Sequence, residues 1–182
     1  MSKPSYYVPN TINKASLDEV KEVLKKLSEI LDSSFSIFIQ FRTWGEEKER
    51  QSDLLILTKN GIYNLEVKNY REVIKICYPG EWVVTNNKKV KNPLKQSEDT
   101  ADNVQKYLQE KADKIFSEKR KQELFKRILK VFPLLLLLTP SGSVNKNKIS
   151  SRCILLNGIN DLENYFKKNR ATWHLYEGNS LT

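Results

Sequence analysis

Asp53-Leu54-Leu55-Ile56-Leu57-Thr58-Lys59-Asn60-Gly61-Ile62-Tyr63-Asn64-Leu65-Glu66-Val67-Lys68 is the stretch whose reading decides the fold. Two apolar runs flank a turn at Lys59-Asn60-Gly61, which predicts two antiparallel strands joined by a tight Asn-Gly hairpin. Period two puts Glu66 and Lys68 on one face of the second strand. With the turn at Gly61, the start of one strand lies opposite the end of the other, so Asp53 can stand beside Glu66. Two adjacent carboxylates repel unless a cation lies between them. A Mg²⁺ or Mn²⁺ ion suits that place, because it accepts one or two carboxylates, keeps several waters and takes a substrate phosphate oxygen. Lys68, on the same face, can stabilise charge on a phosphate or orient an attacking water. Taken alone, a Glu-x-Lys pair is an ordinary salt bridge on a solvated face. Three features tell against that reading here: Leu65 and Val67 flank the pair as core-facing residues, an acid opens the partner strand, and a basic helix follows.

Outward from the hairpin, Ser16-Leu17-Asp18-Glu19 is a capping box, and Leu17, Val20, Leu24, Leu27 and Leu31 mark an amphipathic helix over 17–31. Phe35, Ile37 and Ile39 alternate up to Phe41 as a strand, followed by a charged loop over 43–52. Val73 to Cys77 and Trp82 to Thr85, around Pro79-Gly80, predict a second hairpin that extends the sheet and is closed by Asn86-Asn87. Asn92-Pro93 starts a helix running through Ala101, Val104, Leu108 and as far as Ala112. Ser117 to Leu129 predicts another. Val131 to Leu138 is the continuous apolar run of a strand buried on both faces, and Cys153 to Leu156 is a shorter one. A polar loop over 141–151 separates them. Asp161 to Lys168 reads as a short helix and Thr172 to Tyr176 as a last strand or tail.

The chain has 182 residues, 39% of them hydrophobic, which suits one packed α/β domain and excludes a disordered or collagenous chain. One histidine, His174, removes mechanisms that need a histidine pair and reads as a surface or tail residue. Cys77 and Cys153 have no CxxC spacing, so neither a disulfide scaffold nor a cysteine zinc site is expected, and a reducing cytoplasm suits the chain. The longest apolar run falls well short of the ~20 residues of a membrane span. A net charge of +9 fits a polyanion such as nucleic acid, or an anionic membrane surface. The charge is concentrated: residues 88–130 hold 13 Lys/Arg against 7 Asp/Glu. Lys88, Lys89, Lys91 and Lys95 surround the start of the Asn92 helix, whose first N–H groups favour phosphate.

The ordered string Asp53 to Tyr70, Gly80-Glu81-Trp82 and Asn92-Pro93-Leu94-Lys95-Gln96 resembles the nuclease-related domain, NERD, of the PD-(D/E)XK nuclease superfamily, over about residues 16 to 110. The resemblance implies a restriction-endonuclease-like α/β fold with an αβββαβ core and a mixed central sheet flanked by helices. The NERD-like core would span about 16–140, with a C-terminal extension over 141–182 in a single nuclease domain. It further implies that Asp53 and Glu66 bind a catalytic Mg²⁺ or Mn²⁺, that the Val67 carbonyl is a further candidate ligand, and that Lys68 assists phosphodiester hydrolysis. Gln96 would face the site and help place a phosphate or water. DNA is favoured over RNA as the substrate, and a homodimer or a helicase, repair or defence partner is compatible with the family.

The chain departs from the family pattern at Gln51, where an acid is usual, at Ser52, where proline precedes the aspartate, and in the first helix, which lacks a Gly-Glu pair. Glu19 and Glu22 compete for the metal-proximal role of that glutamate. The helical wheel puts Glu19 at the flank of the apolar stripe and Glu22 nearly opposite it, favouring Glu19. Glu19 is equally the acid of the Ser16 capping box. Gln96 has the alternative of an ordinary first-turn helix residue, Asn92 needs only its capping role, and Trp82 fits hairpin packing better than base stacking. The rival function is a module of the same fold that binds nucleic acid without cutting it. A third, a membrane-surface protein, would rest on the Ser117–Leu129 helix.

Overall fold

The computed structural model describes residues 3–9, 14–44, 49–58, 61–76, 80–139 and 151–177. Strands β1 (Ser5–Tyr7), β2 (Ser36–Trp44), β3 (Glu49–Thr58), β4 (Gly61–Lys68), β8 (Val131–Leu137) and β9 (Ile154–Asn157) form a six-stranded sheet in the order β1-β2-β3-β4-β8-β9. The β2–β3 and β3–β4 pairs are antiparallel and the other three are parallel, so the sheet is mixed. Strands β5 (Val73–Lys75), β6 (Trp82–Val84) and β7 (Lys88–Val90) make a separate three-stranded sheet. The helices are α1 (Lys14–Ile30), α2 (Pro93–Glu110), α3 (Ala112–Ile115), α4 (Lys119–Ile128) and α5 (Ile159–Glu177). From α1 through β8 this is the αβββαβ order, with the small sheet and the α3–α4 pair inserted.

Apolar periodicity determines which face each helix covers. Val20, Val23, Leu27 and Leu31 on the α1 side meet Leu54, Ile56, Leu65, Val67, Leu134 and Leu136 on one face of the sheet, and Leu162 and Phe166 of α5 join them. Each such side chain, fully buried, contributes ~1.5–3 kcal/mol. The opposite face is shared. Ala101 and Val104 of α2 cover Leu55 and Val131, while Trp82 and Leu94 cover Leu135 and Leu137. β8 is buried on both faces, as its apolar run requires. Pro133 has no N–H for a ladder, and β9 begins only opposite Leu134.

Several sequence expectations are corrected. Thr43 and Ser52 bound no loop: β2 and β3 continue through the charged residues, paired Arg42 with Gln51 and Thr43 with Arg50, and only 45–48 lies outside the described residues. Thr58 pairs with Gly61, so Gly61 already belongs to β4; Lys59 and Asn60 lie outside the described residues. A Cβ at 61 would lie 2.8 Å from the Phe132 ring, so any larger residue there would force that ring to shift. The second hairpin does not extend the main sheet; burial of Trp82 against Leu135 and Leu137 holds it over the face instead. Its Pro79 and Cys77 lie outside the described residues. Asn86 and Asn87, at φ 60° and 57°, take the left-handed turn between β6 and β7, a conformation that asparagine tolerates. Thr172 to Tyr176 is helical and continues α5, whose residues from Ile159 to Glu177 include no proline or glycine. The three-residue β1 has no sequence signal that anticipated it.

One irregularity governs the site. Ile37 and Ile39 of β2 face α1, and Phe38 faces α2. Beyond Gln40, which has φ 51° and is buried, Phe41 and Thr43 both turn to α2: Phe41 joins the Ala101–Val104 cluster, and Thr43 Oγ1 donates to Asn103 Oδ1 at 2.7 Å. The left-handed residue reverses the alternation. Partners across the β2–β3 ladder share a face, so Ser52 (opposite Phe41) and Arg50 (opposite Thr43) reverse with them.

Candidate active site

Asp53 stands where the β3–β4 ladder ends. Leu54 pairs with Leu65, and beyond that pair the Val67 N–H donates to the Asp53 carboxylate, Oδ2, at 2.9 Å. A side chain thus takes the place of a backbone acceptor, and the two strands part with Asp53 on one and Glu66 on the other. Glu66 and Lys68 face α2, as period two predicts. Lys68 Nζ donates to Glu66 Oε1 at 2.6 Å, and Gln96 Nε2 donates to the same oxygen, also at 2.6 Å. The other carboxylate oxygen, Oε2, is buried with no hydrogen-bond partner among the described residues. Glu66 is 2% exposed.

Electrostatics follow from that geometry. Burial, then the nearby Asp53 charge, pushes the Glu66 carboxyl up to about 7, against the pull of Lys68 and Gln96. Burial alone would lower Lys68, but the Glu66 and Asp53 charges outweigh it and hold the ammonium above its usual range. Tyr70, half-buried beside them, is raised by burial and by the charges of Glu66 and Glu19, with Lys68 opposing. Glu19 therefore acts electrostatically on this end of the sheet from α1, where both it and Glu22 are exposed. Helix α1 begins at Lys14, ahead of Ser16, so the expected capping box is corrected: Ser16 is the third residue of the helix and not its N-cap, and its side chain, like that of His174, lies outside the described residues.

Gln96 is delivered by α2. Asn92 caps this helix, its Oδ1 accepting from Leu94 N at 3.0 Å and Lys95 N at 3.3 Å, while its carbonyl accepts from Gln96 N. Pro93 has no N–H. The first N–H groups of α2 are therefore engaged within the cap, which corrects the expectation that they receive phosphate. A buried relay seats the helix on the sheet: Asn64 Nδ2 donates to Ser97 O, and Ser97 Oγ donates to Leu134 O. Trp82 is fully buried and so is a packing residue. Cys153 is also buried, and burial pushes its thiol up to about 12, which removes it as a nucleophile.

Lys91 and Lys95 line a cleft of ≈ 730 Å³ against which Gln96 also lies, whereas Lys88 and Lys89 stand exposed on β7. Sequence reasoning missed Arg50, on the opposite wall of that cleft. Strict alternation gives it the face of Leu54 and Ile56, and only the reversal at Gln40 brings it round to α2.

Among the described residues no cluster of three or more His, Cys, Asp or Glu side chains is set to hold a metal. The two carboxylates nonetheless fit a hard divalent cation of the Mg²⁺ type, which needs only one or two protein carboxylates. Glu66 Oε2, buried and without a hydrogen-bond partner among the described residues, is an oxygen that such a cation would satisfy. No helix among the described residues is long and apolar enough to cross a membrane. A family model described as nuclease-related domain, NERD, matches residues 15–137. No curated protein and no solved structure matches the chain.

Proposed function

The chain belongs to the nuclease-related domain family, and from that premise we propose that it is a metal-dependent nuclease that hydrolyses phosphodiester bonds, acting on DNA in preference to RNA. The observation that carries the reading is the buried Glu66 carboxylate, tethered at Oε1 by Lys68 and Gln96, beside Asp53 and with Oε2 unpartnered. Asp53 and Glu66 would hold Mg²⁺ or Mn²⁺, with the Val67 carbonyl as a third oxygen and Glu19 as an outer contributor from α1. Such an ion lowers the pKa of bound water and neutralises phosphate charge. Lys68 supplies a fixed positive charge toward the oxygens on which negative charge develops, and its tether to Glu66 spares the reorganisation a solvent cation would need. Gln96, anchored through the Asn92 cap and the Ser97 relay, orients water or phosphate with its amide. The basic segment bearing Lys88, Lys89, Lys91 and Lys95 attracts the polyanion, and a cytoplasmic setting fits this role.

The test is a cleavage assay with Mg²⁺ or Mn²⁺ on single-stranded, duplex and branched DNA and on RNA. Cleavage that chelation abolishes and that Asp53→Ala lacks is the expected result. Binding without cleavage by the wild type, under every metal condition, would instead make the chain a recruitment module of the same fold.

A further inference from the structure

We propose that the cleft between β3 and the first turns of α2 is the subsite that holds one phosphodiester backbone strand, with Arg50, Lys91 and Lys95 as its phosphate ligands. This rests on the nuclease reading above and identifies which residues seat the substrate. Gln96 joins the cleft to the carboxylates, since it lines the one and donates to Glu66 in the other. A strand lying in the cleft therefore passes directly to the site.

Side chains must do the binding. Pro93 has no N–H, and those of Leu94, Lys95 and Gln96 are held by Asn92. The cations come from two elements: Lys91 and Lys95 from the α2 end, and Arg50 from β3 by way of the Gln40 reversal. Asp99 lies between the two walls, its carboxylate 2.8 Å from Lys95 Nζ and 3.9 Å from Arg50. It is the anion these cations hold before a phosphate replaces it.

Among the described residues the lining is charged and polar, with Arg50, Lys91 and Lys95 set among Gln51, Gln96 and the acids Glu81 and Asp99, so what it offers a strand is contact to phosphate. Phosphate contacts position a strand without reading sequence. The volume of ≈ 730 Å³ lies in the range of small-ligand pockets, enough for a short stretch of one backbone strand.

The experiment measures affinity by fluorescence anisotropy, in chelator, for single-stranded and duplex oligonucleotides of several unrelated sequences across a salt series. Cleavage of the same substrates in Mn²⁺ is measured separately. Arg50→Gln combined with Lys95→Gln is expected to flatten the plot of log affinity against log salt for single strands by about 1.4, at about 0.7 per lost contact, equally for all sequences. Arg50→Lys should restore half of that change, and Asp99→Asn should tighten binding several-fold. Removing two charges from α4 by Lys119→Gln and Arg120→Gln should leave the slope at the wild-type value. If the wild type cleaves but the Arg50/Lys95 variant, folded by circular dichroism, keeps the full slope, the subsite is wrong and the nuclease reading stands. A slope change confined to duplex overturns the one-strand assignment. A wild type that neither binds nor cleaves overturns both.

Discussion

A carboxylate buried beside a second carboxylate holds its proton more tightly in the folded chain than in the unfolded one, and Glu66 is such a group. Its folded value of about 7 lies above the ordinary 4.5. The stability linked to its proton is therefore complete below about pH 4.5 and lost as pH rises through 7, an effect of about 3 kcal/mol. Urea unfolding of metal-free protein should show falling stability across that window, and Glu66→Gln should flatten the fall while abolishing cleavage. An unchanged slope in the variant would assign the titration to another group. Lys68→Ala should retain Mn²⁺ binding by calorimetry, because the two carboxylates remain, yet lose about 100-fold or more in turnover. Loss of Mn²⁺ binding in a folded variant would contradict that division of labour. The shared face of Glu66 and Lys68 was legible because strand period places them there, whereas Gln96 was named only through the family resemblance, its position alone being that of an ordinary first-turn helix residue. Arg50 was not, since its side depends on a dihedral angle ten residues away in the chain.

At the scale of elements, helix α2 depends on its cap. Asn92→Ala frees two N–H groups and should cost about 1 kcal/mol, and because Gln96 sits one turn in, cleavage should fall further than the stability loss explains. Comparing thermal midpoints with turnover separates the two effects. Buried Glu98 anchors β9 to α2, its Oε1 accepting from Ser151 Oγ at 2.7 Å, Arg152 N at 2.9 Å and Cys153 N at 3.3 Å. Glu98→Ala strands these donors and should destabilise by about 3 kcal/mol; a midpoint within a degree of wild type would show that solvent replaces the carboxylate. That anchor was invisible in the sequence, where Glu98 reads as one more charge among the four acids and two lysines of α2. Helix and strand identity came through well for α1, α2 and β8, whose apolar periods are long. The far half of the β2–β3 hairpin did not, because its ladder carries polar pairs such as Thr43 with Arg50 that look like loop.

Across the whole molecule, local pattern supplied the order of elements but not their assembly. The parallel pairing of β4 with β8 joins segments separated by the small sheet and three helices, and no short window of sequence encodes it. Nor does composition reveal that β5–β7 leave the main sheet to cover Leu135 and Leu137. The fold divides the basic surplus of the sequence, with Lys91 and Lys95 in the cleft and Lys88 and Lys89 outside. The reversal at Gln40 has a consequence for how such a chain can diversify. Before it, the alternating residues of β2 answer to α1; after it, they answer to α2, so the two halves of one hairpin are under separate constraints. Replacing 42–51 as a cassette, with the threonine at 43 kept, exchanges Arg50, the proposed phosphate ligand, while leaving the α1 core intact. Substrate preference can then drift by swapping a hairpin tip, without renegotiating the packing that makes the chain fold.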